Sequence, residues 1–194
     1  MGTRERSIDE ALRCFGTRGY GATSLDDLAR RLGVTKQAVL HHFGSKEQLL
    51  NAVIDRAADE LELAFTQAAT PVSESPFDAV ESTIRTAFAL AARRPETLGL
   101  IREVGHLGPP ASERMVGRIQ PLMDRAEHYL DHGVAEGWFR PVDTRVLLVT
   151  AYGAVVGIVT EPAIIAALGL DPTLRSLVRG RRQVIDLLRG ALVW

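Results

Sequence analysis

Cysteine is nearly absent from this sequence: Cys14 is the single one, so no disulfide can form within the chain. A signal sequence at the start and long apolar runs are also lacking. The longest uncharged run, residues 146–160, would form a helix of about 22 Å, which is short of the ~30 Å hydrocarbon core of a bilayer. We therefore expect a cytoplasmic protein that does not span a membrane.

Neither sign of charge is in excess. The chain has 23 Lys and Arg residues against 24 Asp and Glu residues, a formal net charge of −1. This balance excludes a protein that coats nucleic acid non-specifically, because that mode of binding depends on neutralising many phosphates. The charge is uneven, however, since residues 1–50 contain eight basic and six acidic residues. The only two lysines, Lys36 and Lys46, both lie in this part, which permits a small local site for DNA.

Catalytic motifs are lacking as well. The sequence contains no HExxH, CxxC or GxSxG motif and no glycine-rich phosphate loop, so we expect neither an enzyme nor a cofactor. Asp124, His128 and His132 are spaced four residues apart, which can place metal ligands on one face of a helix. Because imidazoles on a helix surface are more often simply solvated, these residues are only a weak metal candidate, and we expect no metal.

Helical periodicity runs through most of the chain, and no useful stretch alternates with a period of two. The expected fold is therefore all-α, with about nine helices. Three form an N-terminal head, residues 1–46, and six form a C-terminal body, residues 47–194. The first helix of the head covers about Thr3–Arg18. The body helices are predicted to begin after Ser45, at Pro76, near Glu96, at Ala111, near Val146 and after Asp171–Pro172.

Three features of the body are expected to interrupt its helices. The segment at residues 70–76 reads as a loop, and the short helix from Glu96 to Val104 should end near Gly105, before a second loop at residues 106–110. Pro121 should kink one long helix, and Pro162 should bend the helix Val146–Leu168.

The stretch Thr23–Lys46 carries the clearest local signals. Ser24 and Asp27 have the spacing of a capping box, and Gly33 suits the left-handed residue that follows a helix end. Thr35 can cap a second, short helix in which only Ala38 and Val39 are apolar enough to face inward. Two helices joined by a short turn that contains glycine form the helix-turn-helix pattern, whose second helix enters the major groove of DNA.

At this point the sequence resembles a known family. The segments FGTRGYGATSLDDLARRLGV and GVTKQAVLHHFGSKEQLL are similar to the DNA-binding region of the TetR family of bacterial transcriptional regulators. The resemblance covers about the first fifty residues, and Leu40 stands where family members usually carry Tyr. It implies that a set of side chains faces DNA, with the first and last on phosphates: Ser24, Thr35, Lys36, Gln37, Ala38, His41, His42 and Lys46. By their chemistry, Gln37 can pair with adenine, Lys36 can reach guanine or a phosphate, and the Ala38 methyl can touch thymine or belong to the core.

Dimerisation is the second expectation. Residues 146–160 would form a helix that is apolar nearly all round, which a helix on the outside of a monomer could not sustain in water. Two glycines four residues apart would let another helix approach closely, either within the chain or from a partner. Together with an apolar stripe on the last helix, and as the resemblance also implies, this favours a homodimer interface of two helices from each subunit. The expected interface residues are Gly153, Gly157, Val178, Ile185, Leu188 and Leu192.

The resemblance further implies a ligand pocket in the body. The predicted breaks at Pro121, Pro162 and residues 106–110 are places where helices can separate around a cavity, although plain core packing is the alternative for each apolar residue. The candidate lining residues, with Arg, His and Glu as polar anchors, are Phe65, Phe88, Arg102, His106, Met115, Met123, Tyr152 and Glu161.

The resulting hypothesis is a ligand-responsive transcriptional repressor. It would bind a palindromic double-stranded DNA operator as a homodimer and be released by an unknown small-molecule effector. Two alternatives stay open: a constitutive DNA-binding protein without an effector, and a small-molecule-binding helical protein whose head is vestigial.

Overall fold

The computed structural model describes residues 2–68, 75–171 and 173–194, and within these ranges the chain is all-α without a strand. Ten helices follow one another, where about nine were expected. They are α1 (Thr3–Arg18), α2 (Leu25–Leu32), α3 (Lys36–Phe43), α4 (Lys46–Ala68), α5 (Pro76–Arg93), α6 (Pro95–Leu107), α7 (Ala111–Ala135), α8 (Thr144–Thr160), α9 (Pro162–Ala167) and α10 (Leu174–Leu192). None of the helices described is both long enough and apolar enough to cross a bilayer.

The chain forms two compact units. The first contains Met1–Leu61 and Arg94–Ile119, and the second contains Glu62–Arg93 and Gln120–Trp194. Both α4 and α7 therefore contribute residues to each unit. The domain boundary that we place at residue 46 separates the head by its expected function, and it stays a proposal.

In the first unit, α1 is the central helix. Leu12 and Phe15 of α1 are completely buried, as are Leu28 of α2 and Val39 of α3. The closest approach is between α1 and α6, where a methyl group added at Gly16 would overlap the backbone carbonyl of Glu96, and one added at Gly99 would overlap the carbonyl of Gly16. These two glycines allow the backbones of the helices to touch.

In the second unit, α5, α8 and α10 pack together. Their buried residues include Phe88 of α5, Val155 and Val156 of α8, and Ile185 and Leu188 of α10. This core is held at one end by the Tyr129 hydroxyl of α7, which donates to the Pro76 carbonyl at 2.7 Å.

The end of α6 differs from the prediction. The helix was expected to stop near Gly105, but it continues through His106 to Leu107, and the left-handed residue that follows is Gly108, with φ 71°. A glycine inside a helix costs only about 1 kcal/mol relative to alanine, so the helix can continue through Gly105 and two further exposed residues before Gly108 ends it. The predicted loop is thus shortened to three residues, 108–110.

The predicted helix Val146–Leu168 is in fact two helices. Glu161 has φ −115° and ψ 61°, which ends α8 and separates it from α9. The ring of Pro162 excludes the helical conformation from the residue before it, so the chain breaks there rather than bending.

Two other helix starts can be compared with the prediction. Helix α5 begins at Pro76 as expected, whereas residues 70–74 of the predicted loop lie outside the described residues. Helix α10 begins after Thr173, whose hydroxyl accepts from the Ser176 N–H at 3.4 Å. Thr173, not Asp171, is therefore its capping residue, and Pro172 lies outside the described residues.

Candidate nucleic-acid interface

The start of α2 is a capping box, as predicted. The Ser24 hydroxyl accepts from the Asp27 N–H at 3.0 Å, while Asp27 Oδ2 accepts from the Ser24 hydroxyl at 2.7 Å and from the Ser24 N–H at 3.4 Å. These bonds from Ser24, with a further one from Arg30, lower the pKa of the Asp27 carboxyl below its ordinary value. Gly33 then ends the helix in the left-handed conformation, with φ 67° and ψ 33°.

Helix α3 is fixed to the core by one side only. Thr35 caps it by accepting from the Ala38 N–H at 3.2 Å. Val39 and Phe43 are its buried residues, whereas Ala38, expected to face inward, is half-buried. Thr35, Gln37, His41 and His42 are exposed. The polar side of α3 is therefore exposed and available to contact a partner.

Lys36, at the start of α3, has a partner that was not anticipated. Its Nζ lies 2.8 Å from Asp26 Oδ2 of α2, and both side chains remain substantially exposed. Asp26 is the second residue of a helix and shares no motif with Lys36, so only the packing of α2 against α3 reveals the pair.

Lys46, the predicted phosphate contact in the first turn of α4, is held in a defined position. Its Nζ donates to the Tyr20 carbonyl at 2.6 Å and lies 4.0 Å from the centroid of the Tyr20 ring. Partial burial lowers the pKa of Lys46 and raises the pKa of the Tyr20 hydroxyl. Tyr20 is thus a member of the site that the sequence analysis missed, although it lies within the segment that carries the family resemblance.

The predicted dimer residues separate into two groups. Gly153 and Gly157 have open space at the position of a Cβ atom, and Val178 is exposed. Ile185, Leu188 and Leu192 are buried within their own chain, because the apolar stripe of α10 packs in the second unit. This burial removes those three residues from the expected interface. Other exposed apolar residues lie beside the glycines, although they were not among the expected interface residues. They include Val146 and Val149 of α8.

The eight candidate pocket residues are distributed over both units. Arg102, His106 and Met115 belong to the first, and Phe65, Phe88, Met123, Tyr152 and Glu161 belong to the second. Phe88 and Met115 are buried, but Tyr152 and His106 are exposed. His106 lies in α6 rather than in the predicted loop, and its Nδ1 is 2.7 Å from the Arg102 carbonyl.

The weak metal candidate gains no support from the positions of its residues. Asp124 accepts from the Gln120 amide at 2.6 Å, and the His132 ring packs edge-on against Trp138 with centroids 5.0 Å apart. Among the residues that the structure describes, no three His, Cys, Asp or Glu side chains form a group that could hold a metal ion.

Sequence comparison assigns the head to a family. Residues 8–53 match the model of the family described as bacterial regulatory proteins, tetR family. The HTH-type transcriptional regulator SrpR of Pseudomonas putida is 45% identical over 64 residues, 33% of this chain and 30% of that protein. The regulatory protein RaaS of Mycobacterium tuberculosis is 32% identical over 136 residues, 70% of this chain and 59% of that protein. The chain thus aligns with less than two thirds of the length of either relative.

Solved structures extend the similarity over the whole chain. A transcriptional regulator of the TetR/AcrR family from Thermobifida fusca is 29% identical, with a TM-score of 0.67 and 95% of both chains covered. The fatty acid degradation regulator FadR from Bacillus halodurans has a TM-score of 0.78 over 100% of this chain and 97% of that one, and at 16% identity it supports the fold alone. The capped helix-turn-helix with its exposed α3 and the match at residues 8–53 assign the head to the TetR family of bacterial regulatory proteins, and the all-helical body is similar in fold to a solved regulator of the TetR/AcrR family.

Proposed function

We propose that this protein is a DNA-binding transcriptional repressor that acts as a homodimer and is released from its operator by a small-molecule effector. The observation that carries the proposal is the exposed polar side of α3, held at a fixed angle by two buried residues, Val39 and Phe43. A helix needed only for the core would bury a wider apolar face. Family membership of the head supports the same reading.

Each exposed side chain of the interface has a chemistry that suits a part of DNA. Gln37 can donate and accept at the N6 and N7 edge of adenine, and Lys36 can donate to guanine or to a phosphate. The Ser24 hydroxyl and the Lys46 ammonium group suit phosphate oxygens, which fix the position of a protein on the duplex without reading its sequence. Thr35, Ala38, His41 and His42 complete the proposed contact surface.

Dimerisation is supported by an uncovered apolar face on α8. Val146 and Val149 are 60% and 70% exposed, and Gly153 and Gly157 beside them have no atom near the position of a Cβ. Exposed apolar residues next to open glycines permit close approach of a second helix. Val178 of α10, also exposed, stays in the proposed interface. A two-fold dimer would present two copies of α3 to half-sites about 34 Å apart.

Binding of a small-molecule ligand by a protein of this fold is seen in a structural neighbour. The structure of AibR contains both isovaleryl coenzyme A and operator DNA, and that protein is 23% identical to this chain with a TM-score of 0.77 over 97% of each chain. For this chain, the candidate contacts remain Phe65, Phe88, Arg102, His106, Met115, Met123, Tyr152 and Glu161. An effector can act only through a difference in its affinity for the DNA-bound and the free conformations.

One experiment separates the proposal from its two alternatives. A random pool of duplexes is selected on the purified protein, and the affinity of the enriched sequence is measured by fluorescence anisotropy with and without candidate effectors. We expect a palindromic sequence whose affinity decreases when an effector is added. Specific binding that no effector changes would favour a constitutive DNA-binding protein, and the absence of any sequence preference would favour a vestigial head.

A further inference from the structure

Tyr20, in the turn between α1 and α2, is held from two sides. Its N–H donates to Glu103 Oε1 of α6 at 2.6 Å. Its carbonyl accepts from Lys46 Nζ at the start of α4, also at 2.6 Å. The three residues belong to the first unit and connect α6 with the proposed phosphate contact through a single backbone residue.

The rest of this turn is stabilised by its own groups. The Thr23 hydroxyl donates to the Gly19 carbonyl at 2.9 Å, and the Thr23 N–H donates to the Tyr20 carbonyl at 3.3 Å. Gly19 has φ 91°, and a Cβ atom there would lie only 3.1 Å from Glu103 Oε1. The turn therefore rests closely on the Glu103 carboxylate, which satisfies the N–H that the local bonds leave free.

Lys46 depends on Tyr20 for its position. An ammonium group has three donors, and the Tyr20 carbonyl uses one, which leaves two for a phosphate. The Nζ also lies over the Tyr20 ring, so both the ring and the carbonyl restrict the side chain. A lysine that is already restricted loses less conformational entropy when it binds than a free lysine does.

We propose that Glu103 is a positioning residue for DNA binding. By holding the N–H of Tyr20, it fixes the carbonyl and the ring that direct Lys46 towards a DNA phosphate. This inference rests on the proposed function, and it adds a residue on α6, outside the helix-turn-helix, to the determinants of affinity.

The direction in which Glu103→Ala changes DNA affinity distinguishes a positioning role for Glu103 from a purely electrostatic one. Glu103→Ala removes a negative charge, which by itself strengthens binding to a polyanion. A positioning role predicts the opposite, a DNA affinity that is lower by about threefold or more. The loss should be equal on the selected operator and on an unrelated duplex, because a phosphate contact carries no sequence information. The affinities are measured by fluorescence anisotropy over a salt series. Glu113→Ala is the matched control, since Glu113 is an exposed carboxylate in the first turn of α7 and its loss changes the net charge equally.

A double-mutant cycle tests whether Glu103 acts through Lys46. In a Lys46→Ala background, Glu103→Ala should no longer weaken binding, and its effect on affinity should equal that of the charge control Glu113→Ala. Glu103→Gln keeps an acceptor oxygen, although a weaker one, and loses the charge, so it should bind DNA more tightly than Glu103→Ala but gain less affinity than the charge control Glu113→Gln. A gain for Glu103→Gln as large as that of Glu113→Gln would overturn the inference even where the alanine variant does not fold.

Other outcomes are equally decisive. An effect of Glu103→Ala that persists undiminished in the Lys46→Ala background overturns the inference. Wild-type protein that binds the duplexes while Glu103→Ala binds as tightly overturns this inference alone. Wild-type protein that binds no duplex overturns the proposed function and the inference together.

Discussion

At the scale of single residues, the two lysines of the proposed interface are each restrained by one neighbour. The exposed pair of Lys36 with Asp26 contributes at most about 1 kcal/mol to folding, so the position of Lys36 matters more than the stability that the pair adds. A carboxylate beside a proposed DNA contact repels phosphates. Asp26 therefore opposes any placement of the protein on DNA that brings a phosphate close to Lys36.

The variant Asp26→Asn tests this role. We expect tighter binding to unrelated duplexes at low salt, by about three- to tenfold, because a repulsive charge is lost and Lys36 becomes free to reach phosphates. The preference for the selected operator over unrelated DNA should therefore decrease. Anisotropy titrations on both duplexes measure the ratio, and Glu113→Gln controls for the change in net charge. An unchanged ratio would show that Asp26 does not restrict Lys36.

Gln37→Ala and Lys46→Ala should change DNA binding in two different ways. Loss of Lys46 should weaken binding about equally on every sequence and reduce the salt slope by about one unit, since one phosphate contact is lost. Loss of Gln37 should instead relax the preference at one base pair per half-site, at a cost of about 1–3 kcal/mol on the operator. The measurement is a set of single-base operator variants titrated at three salt concentrations. Uniform effects of both variants on all duplexes would contradict the assigned roles.

At the scale of helices, local signals predicted the first three helices well. Caps such as Ser24 and Thr35 and the terminator Gly33 act through neighbours in sequence, so the sequence alone identifies them. The end of α6 could not be predicted in the same way, because the sequence offers both Gly105 and Gly108 as terminators, and only Gly108 adopts the positive φ that ends this helix. Within the site, exposure of α3 follows from its apolar spacing, whereas the partners Asp26 and Tyr20 depend on how distant segments pack.

The capping box of α2 should make stability depend on pH. The folded state lowers the pKa of Asp27 below its unfolded value, so this carboxylate stabilises the fold at pH values above the unfolded pKa, about 4. That contribution decreases as the pH falls through the folded pKa. Asp27→Asn should therefore lower the Tm most at pH 6, and the difference from wild type should shrink below pH 4. Melting curves between pH 2 and pH 6 measure it, and a constant difference would exclude the linkage.

The contact of α1 with α6 is the helix packing most sensitive to a single methyl group. Gly16→Ala should destabilise the protein by about 1–3 kcal/mol, because the added Cβ overlaps the Glu96 carbonyl, which belongs to a helix backbone. Gly117→Ala is the matched control: this glycine lies in α7 with open space around it, so alanine should be neutral or stabilising by up to about 1 kcal/mol. Urea unfolding followed by circular dichroism compares them. Equal midpoints for the two variants would mean that α6 moves away without cost.

At the scale of the whole molecule, the dimer proposal depends on which side of α8 and α10 a single chain leaves uncovered. The sequence identified α8 as apolar nearly all round and α10 by an apolar stripe, but it could not separate the side that packs within the chain from the side that faces outward. For α10, the burial of Ile185, Leu188 and Leu192 identifies the side that packs within the chain. The exposed residues Val146, Val149 and Gly153 define the outward face of α8. One charged substitution on this face should test whether it forms the dimer interface.

Val149→Arg should convert the dimer to a monomer and weaken operator binding. At a two-fold interface the substitution introduces a charge from each subunit, and burying such charges without partners costs several kcal/mol. A monomer binds one half-site and loses the gain from linked sites, so the operator affinity should fall by about a hundredfold and no longer depend on half-site spacing. Val116→Arg is the control, because Val116 is 52% exposed on α7, against 70% for Val149 on α8. Sedimentation equilibrium gives the mass, and anisotropy on operators with altered spacing gives the affinity. A dimeric Val149→Arg variant with normal operator binding would place the interface elsewhere.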